Sequence, residues 1–290
     1  MRTEQEMLDL ILSTAREDER IRAVILSGSR TNPDAPKDFF QDFDVVYVVT
    51  DMTPYRRNLA WIQRFGELMI LQLPDDMGDP PPADQPGYTY LMQFMDGNRL
   101  DLTVYPLDRM NDMVWEGFNQ VLLDKDGVVS ALIPPGSKVS LPQPPSQKQF
   151  DDCCNEFWWV CPYAAKGLWR QELPYARTMQ EEYIREQLNK MLKWYVGVST
   201  GFMGDPGKEL KYIQRYLPEA WWERLLRTYA NADIEQTWQA LFAMGELFRL
   251  AAQVVADHFS YAYPEEDDWR VRAHLRHVHD LPHDAKEMYA

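Results

Sequence analysis

Three carboxylates and a Gly-Ser turn are the residues whose types and spacing suggest chemistry. An apolar run ending at Leu26 leads into Gly28-Ser29, and Asp42-Phe43-Asp44 follows after a proline-bearing loop and opens a second apolar run. Leu100-Asp101-Leu102 repeats the theme further on. On a strand, Asp42 and Asp44 point to one face, because side chains alternate with a period of two. Two like charges held together repel unless a cation lies between them. An Asp within an apolar strand is costly to bury alone, which a third carboxylate joining the pair at one cation would explain. An all-oxygen set of this kind suits Mg²⁺, which keeps waters and substrate phosphates among its ligands. Gly28 lets backbone N–H groups approach a phosphate, Ser29 adds a donor, and Arg30 adds charge toward a triphosphate. Together these parts suit nucleotidyl transfer. Each alone is a weak signal, since D-x-D arises by chance in acidic chains and Asp42 would also serve as a loop cap. Their order along the chain carries the weight.

Strands are expected at 21–26, 43–50 and 68–73, with a hairpin of 88–95 and 98–105 turning at Asp96-Gly97. Thr3-Glu4-Gln5-Glu6 has the form of a capping box and opens a helix with Met7, Leu8, Ile11 and Leu12 on one face. Further helices are expected from Asp51 to about Phe65 and near 108–118, and an apolar run at 121–123 completes the first half. Residues 74–87 hold five Pro and four Asp and read as a long loop. Residues 131–148 read as a Pro-rich linker. Beyond it the pattern turns helical, at 149–170, 175–199, 208–216, 218–229 and 233–261, followed after Pro264 by a charged, His-bearing tail with a weak helical pattern. The fold class expected is α+β: a mixed β-sheet flanked by helices over 1–130, then an all-helical domain over 149–290.

The chain has 290 residues, 45% of them hydrophobic, and a net charge of −15. Both halves are acidic, which disfavours a nucleic-acid partner and favours a cationic one, although acidity also serves solubility. Cys153, Cys154 and Cys161 are odd in number and lack zinc or disulfide spacing, so buried thiols in a reducing compartment are expected. No apolar stretch suits a membrane span and the N-terminus lacks an apolar signal core; a cytoplasmic protein is expected, monomeric by default.

At this point the sequence resembles a known family. The motifs M-R-T-E, G-S-R-T-N, P-K-D-x-F-Q-D-F-D, V-T-D-M, G-Y-x-Y-L-M, L-L-D-K-D and F-D-D-C-C-N-E-F-W, running from residue 1 to about 170, are similar to those of the aminoglycoside 6-adenylyltransferases. These are streptomycin-modifying enzymes within the nucleotidyltransferase superfamily of the DNA polymerase beta type. The resemblance implies ATP, Mg²⁺ and transfer of AMP to a streptomycin hydroxyl with release of pyrophosphate. It makes Asp42 and Asp44 metal ligands, Gly28, Ser29 and Arg30 the triphosphate-side turn, and Asp101 the third carboxylate, base or metal ligand.

Streptomycin carries two guanidinium groups and an amine, which call for carboxylates and aromatic faces. Asp152 and Glu156 lie one helical turn apart, with Trp159 beyond them, and are the substrate-binding candidates. The helix dipole also accounts for acids such as Asp151 and Asp152 at a helix start, and one of Trp158 and Trp159 is expected in the core. Lys166 is a candidate for the triphosphate; a solvated lysine is the plainer alternative. The tail histidines (His274, His277, His279, His283) are expected to be exposed polar residues. Two rival functions remain: a nucleotidyltransferase with a protein or other small-molecule acceptor, and a non-catalytic protein that binds nucleotide or drug.

Overall fold

The computed structural model describes residues 1–33, 35–83, 85–113, 117–127, 129, 131 and 141–289, the side chain of Arg57 apart. It divides into two compact units, Met1–Val139 and Ser140–Ala290.

The first unit is a six-stranded mixed sheet: β1 (Ile21–Ser27), β2 (Phe43–Val49), β3 (Leu68–Gln72), β4 (Tyr88–Phe94), β5 (Arg99–Pro106) and β6 (Gln120–Asp124), in the order β3-β4-β5-β2-β1-β6. All neighbours are antiparallel except β2 and β5, which run parallel at the centre. The expected helix α1 (Glu4–Glu17) forms behind its capping box, in which Glu6 N donates to Thr3 Oγ1 and Thr3 N donates to Glu6 Oε2. Its Met7 and Ile11 pack with Val45 and Tyr47 of β2 and Leu102 and Val104 of β5 on one face of the sheet. The other face is more thinly covered, by a small cluster that includes Ala23, Ile25, Val46, Val48 and Tyr105. Asp44 alternates onto that thin face, which is where a polar site can open.

The hairpin turn is tied to the chain start. Gly97 takes φ +89, and Arg2 Nε donates to Asp96 Oδ2 at 2.7 Å. Asn98 Nδ2 donates both to Arg2 O and to Asp96 Oδ2. This clamp ends at Asn98, and β5 begins at the next residue, Arg99. The helix expected from Asp51 to Phe65 breaks instead. Helix α2 (Thr53–Arg57) stops at Asn58, whose extended backbone and side-chain bond to Ala60 N start a 3₁₀ segment, Leu59–Phe65. The helix expected near 108–118 is a 3₁₀ turn, Leu107–Asp112, and Val114, Trp115 and Glu116 lie outside the described residues. Of the segment expected as a linker, 132–140 lie outside them too, and Gln147 and Lys148 already belong to the next helix.

The second unit is helical among its described residues: α3 (Gln147–Trp169), α4 (Leu173–Thr178), α5 (Arg185–Thr200), α6 (Glu219–Arg227), α7 (Ile234–Phe259) and α8 (Glu265–Asp280). A π-helical turn, Met179–Ile184, joins α4 to α5, and 208–216 forms two 3₁₀ turns where one helix was expected. The core centres on α3, whose Phe157 ring stacks on Phe248 of α7 with centroids 3.8 Å apart. Truncating Phe157 to Ala removes a fully buried ring and should cost about 3–5 kcal/mol, read as a lowered denaturant midpoint. The three cysteines are buried and free, and burial pushes the thiols of Cys153 up to about 12 and of Cys154 higher still. The weak helical pattern beyond Pro264 forms α8, which buries Leu275 and Val278, and His279 pairs with Glu235 of α7. No helix among the described residues is long and apolar enough to cross a membrane.

Candidate active site

The parallel pairing of β2 with β5 sets Asp44 directly beside Asp101 in register. Asp42 precedes β2 by one residue and shares the parity of Asp44. Carboxylate oxygens of Asp42, Asp44 and Asp101 lie within 4.8 Å of one another. The three residues named as metal ligands are thus one constellation on the thinly covered face.

The turn after β1 lies against it. Ser27 pairs with Asp44 across β1 and β2, and the next residue, Gly28, starts a 3₁₀ turn, Gly28–Arg30, with φ +74. A Cβ at Gly28 would fall 1.9 Å from Asp44 Oδ2, so only glycine admits both the backbone and the carboxylate. Ser29 Oγ is buried without a hydrogen-bond partner among the described residues.

Arg30 is turned inward. Its Nε donates to Asp42 O at 2.9 Å and its Nη2 to Gln41 O at 2.7 Å, Nη1 pairs with Glu4, and the guanidinium stacks on Phe43 at 3.7 Å. Only 7% of its side chain is exposed. Gln41 Nε2 returns a bond to Ser29 O. In this conformation Arg30 fastens the Asp42 loop to the Gly-Ser turn.

Electrostatics match a cation site. Burial first, then the charges of Asp42 and Asp101, push the Asp44 carboxyl up to about 7. A carboxylate held this way gains from a positive ion. One cation is already present that the sequence reading missed. Arg99 forks onto Asp101, Nε to Oδ1 at 2.7 Å and Nη2 to Oδ2 at 2.6 Å, and lies 3.9 Å from Asp42. The signal was available: Arg99 stands two residues before Asp101 on the same strand, hence on the same face.

In the second unit, Asp152, Glu156, Trp159 and Tyr163 lie at turn spacing along α3, and all are exposed. Asp152 is paired with Lys148, whereas Glu156 has no ion-pair partner among the described residues. Trp159 is 62% exposed and meets Tyr163 edge-on, while Trp158 is core at 2%. Trp159 and Tyr163 line a groove with Asn155 of α3 and Asp267 and Arg270 of α8. Lys166 sits beside the rings of Tyr163 and Tyr175, its Nζ 5.1 and 5.7 Å from their centroids.

The family model described as streptomycin adenylyltransferase matches residues 1–278. The chain belongs to that family. Aminoglycoside 6-adenylyltransferases of Bacillus subtilis (39% identical, over 92% of this chain and 95% of the relative) and Campylobacter jejuni (41%, over 92% and 93%) are among its relatives. So is that of Staphylococcus aureus, 36% identical over 91% and 94%. A crystal structure of an aminoglycoside 6-adenyltransferase from Bacillus subtilis is 34% identical, covers 97% of this chain and 100% of its own, and superposes with a TM-score of 0.47. Membership makes the chain an adenylyltransferase, and an adenylyltransferase uses a nucleotide co-substrate. The α+β class expected from sequence is the one found.

Proposed function

We propose that the protein transfers AMP from ATP to a hydroxyl of streptomycin and releases pyrophosphate, with Mg²⁺ held by Asp42, Asp44 and Asp101. The observation that carries this reading is the convergence of the three carboxylates beneath a glycine turn that has no room for a side chain. The donor set fits the ion: three hard oxygens, one of them raised by burial and by the other two. Mg²⁺ bound there neutralises phosphate charge and polarises the reacting phosphoryl group.

The chain's own groups do the rest. The Gly28–Arg30 turn and the Ser29 hydroxyl, which has no partner among the described residues, receive the phosphates, and Arg30 fixes the loop that carries Asp42. Asp101 supplies the third carboxylate, taking the hydroxyl proton or completing the cation site. The acceptor oxygen bonds to the α-phosphorus, the bond from that phosphorus to the bridging oxygen breaks, and pyrophosphate leaves with the electron pair.

On the drug side we assign Asp152, Glu156 and Trp159 to the cationic groups, and Lys166 to the triphosphate. This gives residues 1–130 the chemistry and 149–290 recognition, in a monomeric cytoplasmic protein with no nucleic-acid partner. Glu156→Gln and Trp159→Ala should each raise KM for streptomycin roughly tenfold with kcat little changed, since each removes one charge-assisted or cation–π contact. Steady-state kinetics with varied drug checks this, and an unchanged KM in both would remove the α3 stripe from the site.

The function itself is tested by pyrophosphate release from ATP and Mg²⁺ with streptomycin, beside kanamycin and spectinomycin. Release with streptomycin alone supports the reading. Release with another drug keeps the chemistry and changes the acceptor. ATP binding without release against any of them moves the protein to a different acceptor or to binding alone.

A further inference from the structure

Arg99 is the unexpected member of the carboxylate constellation. A fork onto both oxygens of Asp101 is the geometry in which a guanidinium fixes a carboxylate plane. It leaves each oxygen a second lone pair, and Asp101 still presents an oxygen within 4.8 Å of those of Asp42 and Asp44. Arg99 also lies 3.9 Å from Asp42, so one positive charge spans two of the three carboxylates. The cause is local. Arg99 is the first residue of β5, placed by the turn that Arg2, Asp96 and Asn98 tie down, and period-two alternation aims it at the face of Asp101. Its side chain is 45% exposed, so it is wedged by its partners and not by the core.

We propose that Arg99 is a positioning residue that orients Asp101 and, as a resident positive charge, holds down the affinity of the three carboxylates for a divalent cation. This rests on the reading of Asp42, Asp44 and Asp101 as the cation site. A fixed positive charge beside the carboxylates competes electrostatically with an incoming ion, so binding is weaker than three bare carboxylates would give. In exchange, Asp101 is held at one angle. Tight cation binding and an ordered third carboxylate are therefore opposed, and removing Arg99 should separate them.

The test is Mn²⁺ binding to the ATP-free protein, followed by the loss of the free-ion electron paramagnetic resonance signal, in wild type, Arg99→Gln, Arg99→Lys and Asp44→Asn. Thermal melting confirms that each variant is folded. Arg99→Gln should bind Mn²⁺ about tenfold more tightly while kcat for adenylyl transfer falls about 10- to 100-fold. Arg99→Lys keeps the charge without the fork, so its Mn²⁺ affinity should stay near wild type while kcat still falls. Unchanged or weaker Mn²⁺ binding in folded Arg99→Gln overturns the proposal, as does an undiminished kcat. The site reading fails separately: there, Asp44→Asn would bind Mn²⁺ as well as wild type, whatever Arg99→Gln does.

Discussion

Replacing Asp44 with Asn should give a protein that no longer turns over, yet is more stable than wild type in the absence of metal at pH 8. On the proposed reading of the site, the activity loss follows from taking away one of the three carboxylates of the cation site and should be on the order of 10³-fold or more in kcat. The stability gain follows from the raised carboxyl. The group goes from 3.8, its ordinary value, to about 7 in the folded state. A carboxyl raised on folding contributes stability below about pH 4, and that contribution is lost as pH rises through about 7. At pH 8 the ionised Asp44 is a net burden of roughly 2–4 kcal/mol, allowing for partial solvent access. Asn is neutral at every pH and escapes it. Urea denaturation in EDTA from pH 4 to pH 8 should therefore show the two proteins converging at the acid end and diverging toward pH 8. Parallel curves would refute the burial account of the site. Added Mg²⁺ should stabilise the wild type and leave the variant where it was.

Gly28→Ala should be nearly as damaging to turnover, although it adds one methyl group and removes no functional group. The new Cβ would lie 1.9 Å from Asp44 Oδ2, far inside contact distance, at a backbone φ of +74 that side chains disfavour. The protein relaxes by moving the turn or the carboxylate, and either displaces a reacting group by an ångström or so. Such a shift costs about 10²-fold in kcat. Overpacking together with the unfavourable φ should also cost about 2–4 kcal/mol of stability. Kinetics and a denaturation curve on the same sample check both, and wild-type turnover would show that the turn does not hold the phosphates. The two substitutions are informative together, because the first should stabilise and the second destabilise while both lower turnover.

Much of this site was legible in the sequence because it is built from strand alternation. Asp42 and Asp44 at a spacing of two, and Asp101 between leucines, need only the knowledge that strands alternate. Their meeting needed one further fact, the parallel pairing of β2 with β5, which the spacing does not contain. Arg99 is not marked by the same pattern, because a site for a cation calls for acidic ligands and gives no reason for a cation among them. The inward turn of Arg30 depends on the loop from Thr31 to Gln41, whose path no periodicity encodes. The break of the helix expected over 51–65 has a similar source: the Asn58 side chain caps a new segment, and a local cap outweighs the propensity of the flanking residues. On α3 the expectation that one tryptophan is core resolved cleanly, since Trp158 and Trp159 are adjacent and a helix must send them to different sides.

The central parallel pair has a consequence for how such a chain can change over generations. Asp44 and Asp101 are separated by 56 intervening residues, including β3, β4 and the proline-rich stretch of 74–87, yet their juxtaposition is fixed by the ladder between β2 and β5 alone. Insertions and deletions in the loops between those strands lie outside the β2–β5 ladder and leave its register untouched. The reactive centre is thereby insulated from the most variable kind of sequence change, and the surface around it is free to diversify.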